Sequence, residues 1–162
     1  MTASGVGIPT ERMAEVFPFH VAVGTDLHIV QTGPIIQRLV PEIIAGGSLT
    51  DHFVIRRPSG VSLFSDICAR TDGLFILEAR RRVLLLRGQM VRLSESIAMF
   101  LGSPWVTSMS ELENLGLSLH EFAIHDPIAD LLVLLQAKDR VLADAQHLAE
   151  ELRASRRIPH DG

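Results

Sequence analysis

Three apolar runs crowd into thirty-odd residues of this chain: "LFILEA" (74–79), "VLLLRGQMVRL" (83–93) and "SIAMFLGSP" (96–104). The turns between them are short and polar, around Arg80–Arg82 and Ser94–Ser96. A connection that short cannot return a strand to parallel pairing, which needs a crossover of about a dozen residues or more. The three runs therefore predict an antiparallel meander. Upstream, "FPFHVAVGTDLHIVQTG" alternates Phe19, Val21 and Val23 with His20 and Ala22, turns at Thr25-Asp26, then alternates Leu27, Ile29 and Gln31 with His28 and Val30. That is a β-hairpin.

Short helical pieces lie between hairpin and meander. Prolines frame a two-turn helix in "GPIIQRLVP", and "VSLFSDICAR" spaces Val61, Leu63, Phe64, Ile67 and Cys68 helically before Asp72-Gly73. "GGSLTDHFVIRRPSG" reads as connection, with a short ordered piece at 53–55. "PTERMAEVF" predicts a short helix after Pro9. "SELE" at 110–113 has the form of a capping box, with Ser110 at the cap, and Gly116 ends that helix. Asp126-Pro127 then opens a helix running to about Arg156. The order is β-β, short helices, β-β-β, long helix. It predicts an α+β fold: one five-stranded antiparallel sheet, short helices on one face, and a long C-terminal helix. That order is the order of a PAS domain. The expected divisions are an N-terminal segment at 1–16, a PAS-like domain at 17–125, a signalling helix at 126–157 and a tail at 158–162.

Within the second meander run lies an anomaly. A glycine inside a strand costs about 0.5–1 kcal/mol relative to alanine, yet Gly88 sits between Arg87 and Gln89. Residues two apart share a face. Leu84, Leu86, Gly88 and Met90 form an apolar face suited to the side under the helices. Leu85, Arg87, Gln89 and Val91 form a mixed one, suited to cover by an N-terminal segment or a second subunit. Gly88 would admit a close backbone, leave room for a pocket, or mark a bulge.

The last helix carries a second surface. From Leu131, a 3-4 spacing picks out Leu134, Lys138, Val141, Ala145, Leu148 and Leu152, all apolar except Lys138. This is a heptad seam of about three repeats, the lower limit for a coiled coil. A helix of about 30 residues is ~45 Å long, more than one small domain covers, so part of it should project.

The remaining chemistry argues against catalysis. "HEFAIH" (120–125) is one residue too long for a zinc-binding H-E-x-x-H. "HEF" lacks the arginine and proline of a phosphoacceptor box, and no ATP-binding motif follows it. His28 and His52 lie near turns rather than over an apolar pocket, as a haem ligand requires. Cys68, the only cysteine, suits a small buried hydrophobe better than a reactive thiol. Arg80, Arg81 and Arg82 read as a solvated hairpin tip. No tightly bound cofactor and no metal is expected. A net charge of −4 makes a nucleic-acid surface unexpected. The longest strongly apolar run, "LLVLL" at 131–135, is far short of the ~20 residues that span a bilayer. With a single cysteine and no leader pattern, a cytoplasmic protein is expected.

Taken together, "FPFH" (17–20), "LRGQMVRL" (86–93), "FLGSPWV" (100–106) and "LSLHEFAIHD" (117–126) resemble the haem-NO-binding-associated domain, H-NOXA or HNOBA, across about residues 16–150. This PAS-like domain follows the haem domain of soluble guanylate cyclases and occurs in bacterial sensor histidine kinases. The motif residues are Leu86, Arg87, Gly88, Gln89 and Met90, with Ser103 and Pro104. The resemblance implies a non-catalytic module that dimerises and relays a signal into a coiled coil. The parent protein would be a histidine kinase or a guanylate or adenylate cyclase. No haem domain or catalytic domain accompanies the motifs, so the chain reads as an excised or stand-alone domain. The expected partner is a second copy, or a related chain in a heterodimer, with a haem-NO-binding protein as a further partner. The expected dimer surface comprises Val16, Phe17 and Phe19, the outer-face residues Arg87, Gln89 and Val91, and the seam residues Leu131, Leu134, Val141, Leu148 and Leu152. The alternative is a small-molecule sensor with an occupied pocket.

Overall fold

The computed structural model describes residues 5–43 and 46–157. The expected tail at 158–162 lies outside the described residues. Around a single sheet the chain runs α1 (Thr10–Val16), β1 (Val21–Val23), β2 (Ile29–Thr32), α2 (Pro34–Leu39), α3 (Leu49–His52), β3 (Phe53–Arg57), α4 (Phe64–Cys68), β4 (Phe75–Ala79), β5 (Leu85–Arg92), β6 (Ala98–Pro104), α5 (Met109–Asn114), a 3-10 turn (Leu119–Glu121) and α6 (Ile128–Arg156). The strand order is β2-β1-β6-β5-β4-β3, and every pairing is antiparallel. The hairpin and the meander form as expected, and β6 joins them by pairing with β1.

The sheet has six strands rather than five. The sixth is β3, which takes the edge beside β4. Its inner positions Phe53 and Ile55 pair with Ala79 and Leu77, while Arg56 on the outer side forms an ion pair with Glu78. Only the first of these five residues is fully buried. An edge strand with one covered face gives a weak periodic signal before Pro58. The capping expectation shifts by two residues. Ser108, not Ser110, caps α5: its hydroxyl accepts from the Glu111 N–H at 3.2 Å, and the Glu111 carboxylate accepts from the Thr107 N–H at 2.7 Å. Gly116 follows with φ +68°, the left-handed conformation that favours glycine.

The core lies between the inner sheet face and the short helices. Phe19, Phe53, Phe75 and Phe100 are its largest fully buried side chains. Phe122 closes over Phe19, ring centroids 5.1 Å apart, so the stretch after the 3-10 turn seals one end of the core. Phe19 was expected at the dimer surface. Instead it is wholly buried: the turn that carries it leads into β1, an interior strand paired with β2 and β6, and Phe122 closes over its ring. A side chain on the inner face there has no route to solvent.

Gly88 faces Gly102 across an unbroken β5–β6 register that runs from Leu86↔Pro104 to Arg92↔Ala98. No bulge occurs in it. A Cβ on Gly88 would stand 2.2 Å from the Leu101 carbonyl oxygen and 2.6 Å from the Gly102 Cα. A Cβ on Gly102 would stand 2.7 Å from the Phe100 ring. The glycine therefore permits a close backbone approach, as one of its three readings held. Phe100 folds its ring over the space that Gly102 leaves.

Candidate functional site: the outer sheet face and the root of the long helix

The outer sheet face is covered in one part and open in another. Beside β1 and β6, Ala22 and Met99 are buried, and they share a hollow with Ile8, Thr10 and Met13 of the N-terminal segment. This part is covered by the chain's own residues. Beside β5, Arg87 and Gln89 remain exposed. They line an open groove of about 650 Å³ with Phe17, Leu74, Ser103, Trp105, Asp126 and Leu131. Ser103 pairs with Arg87 in register, so motif residues far apart in sequence meet on one face. Leu86 and Met90 point the other way, into the core.

Trp105 is the residue that sequence reasoning missed. It is 47 % exposed, and the Arg87 guanidinium lies 5.6 Å from its ring centroid. A cation held over an indole face in this way is a favourable contact at a surface. Its position was readable: two residues past Ser103, it falls on the outer face by strand alternation.

Phe17 joins three parts of the molecule. It ends the N-terminal segment, its ring lines the groove, and it stands edge-on to the His125 ring at 5.8 Å with planes 81° apart. His125 immediately precedes the turn into α6, where the Asp126 carboxylate accepts from the Ile128 N–H at 3.0 Å. Val16 is half-buried and lines a separate, smaller hollow with Phe17, Leu101 and His125. Next along the chain, His20 is buried. Its Nδ1–H donates to the Phe17 carbonyl, 2.8 Å, because a carbonyl only accepts. Its Nε2 then accepts from the Gln31 amide, 2.8 Å. Burial holds its pKa below the ordinary value of 6.5.

From this root α6 leaves the domain. Within α6, Leu132 is the only buried residue among those described. From Val133 to Arg157 every residue is exposed. The seam residues Leu131, Leu134, Val141, Leu148 and Leu152 are 50 to 67 % exposed, and Leu135 and Leu142 broaden the apolar stripe along one edge. Among the described residues no helix is long and apolar enough to cross a membrane, and no cluster of three His, Cys, Asp or Glu side chains forms. His28 lies against Asp26 at the hairpin turn, and that contact holds the Asp26 carboxyl below its usual range. The arginine turn is only partly a free tip: Arg80 donates to the Thr50 carbonyl at 2.7 Å.

The chain is similar to parts of several guanylate cyclases. The rat guanylate cyclase soluble subunit alpha-1 is 34% identical over 143 residues, which cover 81% of this chain and 21% of that protein. The rat guanylate cyclase soluble subunit beta-2 is 32% identical over 161 residues, covering 90% of this chain and 24% of that protein. The Drosophila melanogaster head-specific guanylate cyclase is 27% identical over 145 residues, covering 82% and 21%. The chain thus spans about a fifth to a quarter of the length of the curated relatives it matches. The family model described as "Heme NO binding associated" matches residues 6–84 and 77–157. On this match the chain belongs to the heme NO binding associated family of signal-transduction domains.

Proposed function

We propose that this chain is a non-catalytic dimerisation and relay module, carrying a signal from a haem-NO-binding partner to an output domain through α6. The observation that carries the reading is the meeting of Phe17 with His125 at the root of a helix whose remaining length is solvent-exposed. The N-terminal end of the domain and the start of the output helix share one contact. A displacement of the first is felt by the second without passing through the core. The related guanylate cyclases carry this domain within much longer proteins; by that likeness the output here is a cyclase, or a histidine kinase with the same architecture.

The apolar surfaces support pairing. Leu131 belongs both to the groove and to the seam, so the two form one continuous patch. Apolar area of this extent marks a partner site, and a two-fold axis is the commonest way to close it. The copies pair in parallel along the seam, residues 131 to 152, with Val16, Phe17, Arg87, Gln89 and Val91 at the domain end. The sensor reading is not favoured, since the 650 Å³ groove is open to solvent and lies on the face away from the short helices.

Sedimentation at micromolar concentrations tests this. The native chain should run as a reversible dimer. Leu148→Asp and Phe17→Asp should each weaken it, whereas Arg82→Ala should leave it intact. A monomer at every concentration, or a dimer indifferent to both aspartates, overturns the reading.

A further inference from the structure

Lys138 is the only lysine of the chain; the other fourteen of its fifteen basic residues are arginines. It sits at a seam position, and its four neighbours on the helix face are all apolar. Leu134 and Leu135 lie four and three residues before it, Val141 and Leu142 three and four after. Leu134, Val141 and Leu142 are more than half exposed and Leu135 39 % exposed. No carboxylate lies at the spacings where a helix forms its own ion pairs, and Lys138 makes no salt bridge among the described residues. It is a single ammonium ringed by leucine and valine. In water that is harmless. Once the apolar ring is covered, the ammonium must find an acceptor or lose hydration without compensation.

A second copy does not supply one. In a parallel, in-register pair, Lys138 meets Lys138 of the other chain, and the positions flanking that layer are Leu135, Ala137 and Leu142. Two ammonium groups then share an apolar layer with no carboxylate beside them. A charged or polar residue at one seam position sets which helices pair, and discrimination works through repulsion as much as attraction.

Resting on the seam reading above, we propose that Lys138 is the partner-selecting residue of this domain. Its preferred partner is a helix of another chain that carries a carboxylate level with Lys138. The self-paired dimer is the weaker assembly. Charge complementarity identifies the occupant: an apolar helix face interrupted by one acid.

The test uses the full chain and its Lys138→Glu variant as the surrogate partner, one of them isotopically heavy so that native mass spectrometry separates the pairs. At equilibrium roughly four-fifths of the dimers should be mixed, against the half that indifference gives. Lys138→Leu alone should tighten self-pairing about tenfold, because it completes the apolar seam. Carbodiimide should join the native Lys138 to the variant's side chain at the same position, a cross-link no other lysine can supply. Mixing at the statistical ratio, no dimer in the mixture, or a Lys138→Leu chain no tighter than native overturns the proposal. Adding Leu148→Asp to both chains separates the two ideas. If the mixed dimer survives it, the seam reading fails; if the mixed dimer is lost but the native mixture was statistical, only the Lys138 pairing fails.

Discussion

One methyl group is too much at Gly88. Its Cβ would fall 2.2 Å from the Leu101 carbonyl oxygen, which is backbone and cannot swing aside. Gly88→Ala should therefore destabilise by about 1–3 kcal/mol, and Gly88→Val by more, since overpacking forces strand β6 away. Chemical denaturation reads both; an alanine variant as stable as the native chain would show that the strands part easily here. His20 gives a second prediction at this scale. Its folded pKa lies below 6.5, with burial the main cause and the bond to Phe17 a smaller opposing one. Above 6.5 the ring is neutral in both folded and unfolded chains, and it contributes no pH dependence. As pH falls through 6.5 the unfolded chain takes up a proton that the folded chain refuses, so stability falls until the folded pKa is reached. The melting temperature should drop as pH is lowered from about 7.5 to 5.5, and His20→Gln should flatten that drop. Acidification that leaves both chains equally stable would contradict the buried, neutral ring.

At the scale of elements, Leu132 is the peg that fixes α6 to the domain. Leu132→Ala should cost about 2–5 kcal/mol in domain stability, while Val133→Ala, one residue on and exposed, should cost under about 0.5 kcal/mol. Thermal melts of the two variants compare them directly. The long helix was legible because it is framed by Asp126-Pro127 at its start and runs uninterrupted to Arg156. The meander was legible because its alternation is sustained over three runs. What escaped was short or non-local. β3 covers one face over five residues. The cap of α5 fell to Ser108 because the Glu111 carboxylate bonds back to Thr107, and Ser108 and Ser110 are equally good caps by residue type. Phe19 and Phe17, two residues apart in one motif, have opposite fates, one sealed under Phe122 and the other at the groove. A turn between them, closed by the His20 N–H donating to the Phe17 carbonyl, sends them to opposite sides.

Taken whole, the molecule is a small domain with a rod attached at one corner. Groove and rod share Leu131. On the proposed pairing, Trp105→Ala should weaken self-association about tenfold without loss of domain stability, since a tryptophan exposed on a partner surface often carries much of the binding; sedimentation and a thermal melt separate the two effects. The rod also has a mechanical consequence. About 24 residues extend past Leu132, which is ~36 Å of helix. Among the described residues its only buried side chain is Leu132, seven residues past the Phe17–His125 contact. A lever of that length multiplies small angles: a tilt of about 10° at the root carries the tip sideways by ~6 Å, more than half the ~8–10 Å that separates the axes of packed helices. Under the proposed relay, a small rotation at the Phe17–His125 fulcrum would be read at the far end as a change in the spacing between paired helices, not in their register.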